Sequence, residues 1–289
     1  MTLERTSPCK VNLLLNVLGK RPDGFHELET VMQPVRLFDT LRFQRGGNQI
    51  SLTCNTPELP VDADNLVHRA AAQFLKAANI QEGVAIHLEK KIPLAAGLGG
   101  GSGNAATTLL ALNDLFGQPL DASQLAPLAA ALGSDVPFFL QGKPALATGR
   151  GEQIQPLDFF PALKGCFLLL VHPGFGISTA WAYQRLAKFP GALNGRAGRA
   201  QELIALLQRE DLDAAGAAFY NSLEAPALKK YPLLELYQDF FRANGVPAVL
   251  MSGSGSTTFA VSKGKAEALE LEEKFKVKFG PCWTAVVEI

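Results

Sequence analysis

The chain has 289 residues, and its content of 47% hydrophobic and 19% charged residues is typical of a globular protein with a substantial core. Its 27 basic and 27 acidic residues balance without a long run of either sign, which argues against nucleic acid or a membrane surface as the main partner. The four cysteines are widely spaced, so we expect buried free thiols in a reducing compartment. No early segment is apolar enough for a signal peptide, and the sequence therefore predicts a cytoplasmic protein.

Strand patterns dominate the first part of the chain. Alternating polar and apolar residues predict a strand over residues 10–18. The turn Arg21-Pro22-Asp23-Gly24 separates it from a second predicted strand over 25–35. The other elements predicted here are strands at 41–43, 50–54 and 84–88 and a helix at 65–78.

Helices and strands alternate in the rest of the chain. Asp121 is suited to cap a helix whose apolar stripe runs from 125 to 132. Turn residues are concentrated at 149–164, which predicts a domain boundary. The further elements predicted are a strand at 166–171, helices up to 244, strands at 246–251 and 257–261, a helix at 265–276 and a strand at 283–289. This order indicates two α+β domains, residues 1–155 and 156–289.

Residues 97–103 contain five glycines and lead into an alanine- and leucine-rich helix pattern. The backbone N–H groups of such a loop can turn toward one point, and the helix start adds unpaired N–H groups and the positive end of its dipole. Together these features predict a seat for phosphate oxygens. Ser102 is a candidate N-cap, and its hydroxyl is also a candidate ligand of a magnesium ion held by the phosphates.

Two named phosphate motifs fit this loop poorly. A Walker A loop needs a lysine after its last glycine, and none follows here. Gly101, Gly103 and Ala106 match GxGxxA formally, but the nearest predicted strand ends near Leu88 and no acidic residue is placed as a dinucleotide fold requires. The alternative without a ligand is a flexible loop, or close packing of small residues between helices.

Three further segments hold candidate functional side chains. Lys10 stands on an otherwise apolar strand with Asn12 on the same face, so it lies either at an exposed strand edge or toward a site. Asp135 follows the helix stop at Gly133, where it either stabilises a turn or acts as a general base. The glycine- and serine-rich turn at 252–256 joins a predicted hairpin and is also a candidate support of the phosphate loop.

Three ordered segments together resemble the GHMP small-molecule kinases. They are Ser7 to Leu13, Pro93 to Ala106 and Met251 to Gly255, and they span nearly the whole chain. The resemblance implies a two-domain α+β fold with an α+β N-terminal domain and a ferredoxin-like C-terminal domain. It also implies an enzyme that transfers the γ-phosphoryl group of ATP, with Mg²⁺, to a hydroxyl group.

Other segments narrow the resemblance to one branch of the family. Residues 21–26, 64–67 and 132–137 resemble kinases that act on the C2 hydroxyl of a diphosphocytidyl-linked methylerythritol in non-mevalonate isoprenoid biosynthesis. Asp135 matches the general base of these enzymes, and Lys10 matches the lysine beside it. A carboxylate that accepts the hydroxyl proton assists phosphoryl transfer, and a nearby ammonium keeps that carboxylate ionised.

The resemblance also implies which residues bind ligands. Asn12 matches a contact near the diol, His26 the residue that recognises cytosine, and Thr179 a further substrate contact. Phe25 and Tyr183 match the aromatic positions on either side of the base, although each carries the ring common at the other position. The residues matched to ATP are Asn65, Leu66 and Lys90 at the adenine, and Pro93, Leu94, Ala95, Ala96, Gly97, Leu98, Gly99, Gly100, Gly101, Ser102, Gly103 and Asn104 in the phosphate loop.

Two residues differ from the family pattern. Cys9 replaces the usual alanine, and Gly103 replaces a common serine, which leaves Ser102 as the candidate metal ligand.

A GHMP kinase for homoserine or mevalonate is one alternative function, but those alcohols have no ring that the aromatic positions could cover. A second alternative is a non-catalytic nucleotide-binding protein, but the presence of both Asp135 and Lys10 argues against it. A dinucleotide-dependent oxidoreductase is a more remote alternative, because its motif lacks the strand before the loop. We expect a small-molecule substrate and a monomer or homodimer, with no nucleic-acid or membrane partner.

Overall fold

The computed structural model describes residues 2–289, which divide into two units whose segments interleave along the chain. Unit 1 comprises the residues up to Cys9, 37–93 and 99–142. Unit 2 comprises residues 10–36, 94–98 and 143–289. The predicted division into residues 1–155 and 156–289 stays a prediction.

Strands and helices follow each other along the described chain. The strands are β1 (Thr2–Lys20), β2 (His26–Arg45), β3 (Ile50–Cys54), β4 (Val84–Glu89), β5 (Ala145–Thr148), β6 (Gln153–Pro156), β7 (Phe167–His172), β8 (Tyr220–Asn221), β9 (Ala248–Met251), β10 (Thr258–Ser262) and β11 (Trp283–Glu288). The α-helices are α1 (Leu66–Ala77), α2 (Gly100–Leu115), α3 (Ala122–Leu132), α4 (Thr179–Leu186), α5 (Pro190–Leu193), α6 (Arg199–Leu207), α7 (Leu212–Ala217), α8 (Glu224–Lys230), α9 (Pro232–Ala243) and α10 (Lys265–Phe279). Short 3₁₀ helices span Pro137–Leu140 and Pro161–Leu163.

Unit 1 combines strand pairing with three mutually packed helices. The C-terminal half of β2 pairs antiparallel with β4, and β3 pairs parallel with β4. Helices α1, α2 and α3 pack against one another, and side chains such as Phe43, Phe74 and Leu88 are fully buried. Local signals set the helix starts: the Asn65 side chain accepts from the N–H of Val67, and Asp121 forms a capping box at α3. These helices place the N-terminus of α2 at the end of the phosphate loop.

Unit 2 contains a four-stranded antiparallel sheet in the order β11-β7-β10-β9. With α9 after β7 and α10 after β10, this is the β-α-β-β-α-β arrangement of a ferredoxin-like fold. Phe241 and Phe275 pack against Leu169 and Val171 of the sheet. The N-terminal half of β2 pairs with β5, β5 pairs with β6, and β1 pairs parallel with β8. The predicted α+β class and the ferredoxin-like part are confirmed.

Several local predictions differ from the observed elements. The separate strand predicted at 41–43 is part of β2, and the turn-rich segment at 149–164 begins as the turn of the β5–β6 hairpin. All four cysteines are free as predicted, but Cys54 and Cys282 are only half-buried. No helix in residues 2–289 combines the length and the apolar character needed to cross a membrane.

Candidate active site

The phosphate loop has an unusual backbone at alternate positions. Ala95, Gly97 and Gly99 all have a positive φ, at 50°, 78° and 68°. When every second residue has a left-handed backbone, successive N–H groups point toward one side. They then form a concavity that binds anions. Ala95 pays a steric cost there that glycine would avoid. The backbone geometry therefore supports the predicted seat for phosphate.

The glycine-serine turn between β9 and β10 supports this loop within unit 2. The Ser252 hydroxyl donates to the carbonyl of Gly97 at 3.0 Å, and the N–H of Thr257 donates to the carbonyl of Ala96 at 3.1 Å. A Cβ on Gly97 would lie 2.1 Å from the carbonyl oxygen of Ser252 and 3.0 Å from the nitrogen of Gly255. The loop and the turn thus approach each other so closely that only glycine fits. The predicted supporting role of the turn is confirmed.

Lys10 lies in a buried polar network rather than at an exposed strand edge. Its ammonium group donates to Asn12 Oδ1 at 2.6 Å and to the carbonyl of Gly97 at 3.1 Å. Asn12 Nδ2 donates to Thr30 Oγ1 at 2.8 Å, and Thr30 Oγ1 donates to the carbonyl of Leu14. Both Lys10 and Asn12 are 3% exposed. The network fixes a cation against the carbonyl of the first glycine of the phosphate loop.

Two side chains that the sequence did not indicate form hydrogen bonds with the backbone of the glycine-serine turn. Asn221 Nδ2 donates to the carbonyls of Met251 and Gly253 at 2.7 and 2.8 Å. Glu224 Oε1 accepts from the N–H of Met251 at 2.8 Å and from Gln238 Nε2 at 2.5 Å. Burial raises the pKa of the Glu224 carboxyl group, and these two donors oppose that rise. The position of the turn therefore depends on residues 27 to 32 positions away in sequence.

Replacing Glu224 by Gln is expected to remove a pH-dependent component of stability. The raised pKa means that the folded protein holds this proton more tightly than the unfolded chain, in which the group titrates near 4.5. The stability contributed by the protonated carboxyl is complete below that pH and is lost as pH rises to the folded pKa. Glutamine keeps the acceptor oxygen and cannot ionise. The free energy of unfolding of Glu224→Gln relative to wild type should therefore increase with pH above 4.5.

Chemical denaturation over a pH series measures this difference. Glu224→Ala serves as the control because it removes the acceptor for the N–H of Met251 and should cost about 1–3 kcal/mol. Parallel stability curves for wild type and Glu224→Gln across the series would contradict the assignment.

The N-cap of helix α2 is Gly99, which corrects the prediction that Ser102 is the N-cap. Gly99 is left-handed and provides no side-chain cap, and the first helical hydrogen bond runs from the N–H of Gly103 to its carbonyl. The N–H groups of Gly100, Gly101 and Ser102 precede that bond and are available to an anion. The Ser102 hydroxyl makes no hydrogen bond to another residue of the described chain.

Gly103, which departs from the family pattern, lies against β1 within unit 1. A Cβ at this position would lie 2.4 Å from the carbonyl oxygen of Pro8 and 3.1 Å from Ser7 Oγ. A side chain there would have to displace backbone atoms. The close packing of α2 on β1 therefore explains why position 103 has no side chain and hence no hydroxyl.

Lys90 and Asn104 form a buried network with Asp39, a residue that the sequence did not indicate. The Lys90 ammonium pairs with Asp39 Oδ2 and lies 3.2 Å from Asn104 Oδ1. Asp39 Oδ1 accepts from the N–H groups of residues 91 and 92, and Asn104 Nδ2 donates to Ser7 Oγ at 3.0 Å. Every charge in this network has a partner, so it holds the segment before the phosphate loop against α2. A contact of Lys90 with adenine stays a prediction.

The other two predicted adenine residues lie at the start of α1. Both polar atoms of the Asn65 side-chain amide are used locally, since Nδ2 donates to the carbonyl of Pro60 at 2.7 Å and Oδ1 caps the helix. Leu66 extends to the beginning of α2, where its Cδ1 would lie 3.6 Å from a Cβ on Gly101. Leu66 therefore flanks the glycines of the phosphate loop with an apolar surface, whereas Asn65 positions the helix.

Asp135 lies half-buried in the turn between α3 and the following 3₁₀ helix. The N–H of Val136 donates to the carbonyl of Gly133 at 3.1 Å and closes this turn. Phe139, one turn later, lies 3.6 Å from the position that a Cβ on Gly103 would occupy. The segment that carries Asp135 therefore packs on the helix that follows the phosphate loop.

The predicted substrate residues of unit 2 form two groups. The rings of His26 and Tyr183 are stacked with centroids 5.0 Å apart, and burial lowers the pKa of His26, as does the charge of Lys20. Phe25 is half exposed, and the Arg150 guanidinium lies 4.6 Å from its ring centroid. The predicted contact Thr179 is exposed at the start of α4, where its hydroxyl lies 3.0 Å from Ser254 Oγ. The structure brings His26 and Tyr183 together, and the roles of all four residues in binding stay predictions.

Acidic metal ligands are not clustered in the part of the chain that the structure describes. Residues 2–289 contain no group of three or more His, Cys, Asp or Glu side chains that could hold a metal ion. Magnesium in phosphoryl-transfer sites is held largely by the phosphates of the nucleotide.

Comparison with known proteins decides the family. The GHMP kinases N terminal domain matches residues 65–143, and the GHMP kinases C terminal domain matches residues 203–281. A Synechococcus protein named 4-diphosphocytidyl-2-C-methyl-D-erythritol kinase is 41% identical over 270 residues, which cover 92% of this chain and 86% of the relative. The chain belongs to the GHMP kinase family. It is an enzyme that transfers a phosphoryl group, as the resemblance implied.

Further relatives agree with this assignment of the GHMP kinase. A Pelotomaculum thermopropionicum protein of the same name is 40% identical over 96% of this chain and 94% of its own length. A crystal structure of 4-(cytidine 5'-diphospho)-2C-methyl-D-erythritol kinase is 36% identical, with a TM-score of 0.83 over 99% of this chain and all of that one. Homoserine kinase from Cytophaga hutchinsonii matches with a TM-score of 0.78, covering this whole chain and 94% of its own, but at 21% identity it shows the shared fold alone.

Proposed function

We propose that this GHMP kinase transfers the γ-phosphoryl group of ATP to the C2 hydroxyl of 4-diphosphocytidyl-2-C-methyl-D-erythritol, a step of non-mevalonate isoprenoid biosynthesis. The observation that carries the proposal is the 40–41% identity, over 91–92% of the chain, to relatives with that name. The cytoplasmic location and the monomeric or dimeric state stay predictions.

In the proposed mechanism, Asp135 accepts the proton of the C2 hydroxyl as the oxygen attacks phosphorus. Lys10 contributes a buried positive charge that offsets negative charge on the reacting oxygens. Its hydrogen bonds to Asn12 and Gly97 support that role, because they fix the ammonium at the phosphate loop before substrate arrives. Magnesium, when bound with ATP, would supply charge neutralisation at the phosphates, and Ser102 is the hydroxyl proposed to reach it.

Cytosine recognition is proposed for the pair of His26 and Tyr183 together with Phe25. The lowered pKa of His26 favours the neutral imidazole, which has one N–H donor and one acceptor. Cytosine likewise presents a donor and an acceptor on its pairing edge, so a neutral ring matches it better than an imidazolium. The aromatic rings would cover the faces of the base.

A coupled assay of ATP consumption tests the substrate. Turnover is expected with 4-diphosphocytidyl-2-C-methyl-D-erythritol and magnesium, and none with homoserine or mevalonate. Activity with either control alcohol and none with the cytidyl compound would refute the proposal. His26→Ala adds a test within one enzyme, since it should raise KM for the cytidyl substrate with little effect on KM for ATP.

A further inference from the structure

An open cleft in unit 2 is lined by residues that the proposed function does not use. Its cavity volume is about 380 Å³, which lies in the range of small-ligand sites. The cleft is formed by α4, the segment that follows it, and α8. Its charged and aromatic lining residues are Trp181, Arg185, Lys188, Phe189, Lys229 and Lys230.

Four cations lie at this cleft without carboxylate partners. Arg185, Lys188, Lys229 and Lys230 form no ion pair with an acidic side chain of residues 2–289, whereas Arg196 and Lys263 each have one. Basic and acidic residues are equal in number over the whole chain, so this excess of positive charge is local. Cations that share a cleft repel one another, and a bound anion would relieve that repulsion.

Aromatic rings provide the apolar wall of the cleft. The Lys230 ammonium lies 4.3 Å from the centroid of the Trp181 ring, and the Lys229 ammonium lies 5.8 Å from that of Phe189. These cation–π contacts hold both ammonium groups beside the wall instead of in open solvent. An apolar wall with cations at its rim is complementary to a ligand that joins an apolar or planar group to a phosphate.

We infer that this cleft binds a small organic phosphate. The apolar part of the ligand packs on Trp181 and Phe189, and its phosphate group accepts charge-assisted hydrogen bonds from Lys229, Lys230 and Arg185. The positive charge of the site favours phosphates over neutral apolar molecules, and the aromatic wall favours organic over inorganic phosphate.

The cleft lies on a different face of α4 from the predicted substrate residues. Thr179 and Tyr183 are four positions apart and share one face of the helix, while Trp181 and Arg185 share the opposite one. A ligand in the cleft would therefore contact the helix that carries Tyr183 without contacting Tyr183 itself. Binding at the cleft is independent of which alcohol the kinase phosphorylates.

Tryptophan fluorescence tests the inference, because the chain has two tryptophans and Trp283→Phe leaves only Trp181. Titration with phenyl phosphate, excited where the ligand does not absorb, should give a saturable change. Phenol and inorganic phosphate should each bind at least about tenfold more weakly than phenyl phosphate. Octyl phosphate and AMP then distinguish an alkyl group from a planar base as the preferred apolar part. Calorimetry on the wild type gives a second readout if Trp283→Phe does not fold.

Variants separate this cleft from other anion sites. Lys229→Gln combined with Lys230→Gln should weaken phenyl phosphate binding about tenfold or more, since it removes two charged donors. Lys164→Gln is the matched control, because it removes the same type of charge outside the cleft. Kinase activity of the double variant should equal that of wild type. Absence of saturable binding, equal weakening by Lys164→Gln, or a raised KM for the alcohol in the double variant would overturn the inference.

Discussion

Replacing Asp135 by Asn is expected to lower kcat about 10²–10⁴-fold while ATP binding is retained, because the amide cannot accept the proton of the attacking hydroxyl. The substitution preserves the size of the side chain, so the turn closed by Gly133 and Val136 should persist. Steady-state kinetics give kcat, and calorimetric titration with a non-hydrolysable ATP analogue gives the affinity. Together the two measurements separate a loss of chemistry from a loss of nucleotide binding.

Asp121→Asn is the matched control for this experiment. Asp121 also lies in unit 1 at the end of a helix, but it caps α3, and asparagine caps helices about as well as aspartate. This control should retain both kcat and stability. Wild-type kcat in Asp135→Asn would exclude Asp135 as the base, and an equal loss in both variants would point to a disturbed helix α3 instead.

The start of α3 could be predicted from the sequence because its cause is local. Asp121 accepts from a backbone N–H three residues away and receives a reciprocal bond from Gln124, so the whole signal lies within one helical turn. Strands β3 and β4 were likewise predicted close to their observed bounds. The phosphate loop belongs to the same class, since its five glycines all lie within residues 97–103.

The buried polar networks could not be predicted in this way. Asp39 and Lys90 are 51 residues apart, and each alone resembles an ordinary charged surface residue. Asn221 and Glu224 hold the turn before Ser252 through backbone groups that leave no sequence signal. The two interpretations of Lys10 differ only in its burial, which the sequence does not report. Long-range pairing of this kind depends on tertiary packing, which neither spacing nor periodicity reports.

The family resemblance indicates the roles of individual residues, which spacing and periodicity do not. It indicated roles for Lys10 and Asp135, but not the reason for Gly103, where the family commonly has serine. The structure provides that reason, since the Pro8 carbonyl occupies the space that a Cβ would need. The departure at Gly103 is therefore explained by packing that the motif does not contain.

Gly97→Ala is expected to be among the most damaging single-methyl changes in the phosphate loop. Its φ of 78° costs an alanine about 1–2 kcal/mol. The added Cβ would also lie 2.1 Å from the carbonyl oxygen of Ser252, a backbone atom that cannot rotate away. Overpacking of this kind adds about 1–3 kcal/mol. The sum of about 2–5 kcal/mol should appear as a lower midpoint of denaturation.

The same change should impair function through the turn. Displacement of Ser252 would break its hydrogen bond to the Gly97 carbonyl, which also accepts from Lys10. Movement of that carbonyl shifts the ammonium and the alternating backbone of residues 95–99 together. We therefore expect a higher KM for ATP and a lower kcat in whatever fraction of Gly97→Ala folds.

Gly101→Ala isolates this cause, because it adds the same methyl group four residues later in the loop. The new Cβ would lie 3.6 Å from Leu66 Cδ1, an ordinary contact, and Gly101 has no positive φ. Alanine in the first turn of α2 should leave stability unchanged or raise it by up to about 1 kcal/mol. Equal damage from both substitutions would show that the loop is sensitive to any side chain. Damage confined to Gly97→Ala would show that this glycine is required by the approach of the Ser252 carbonyl.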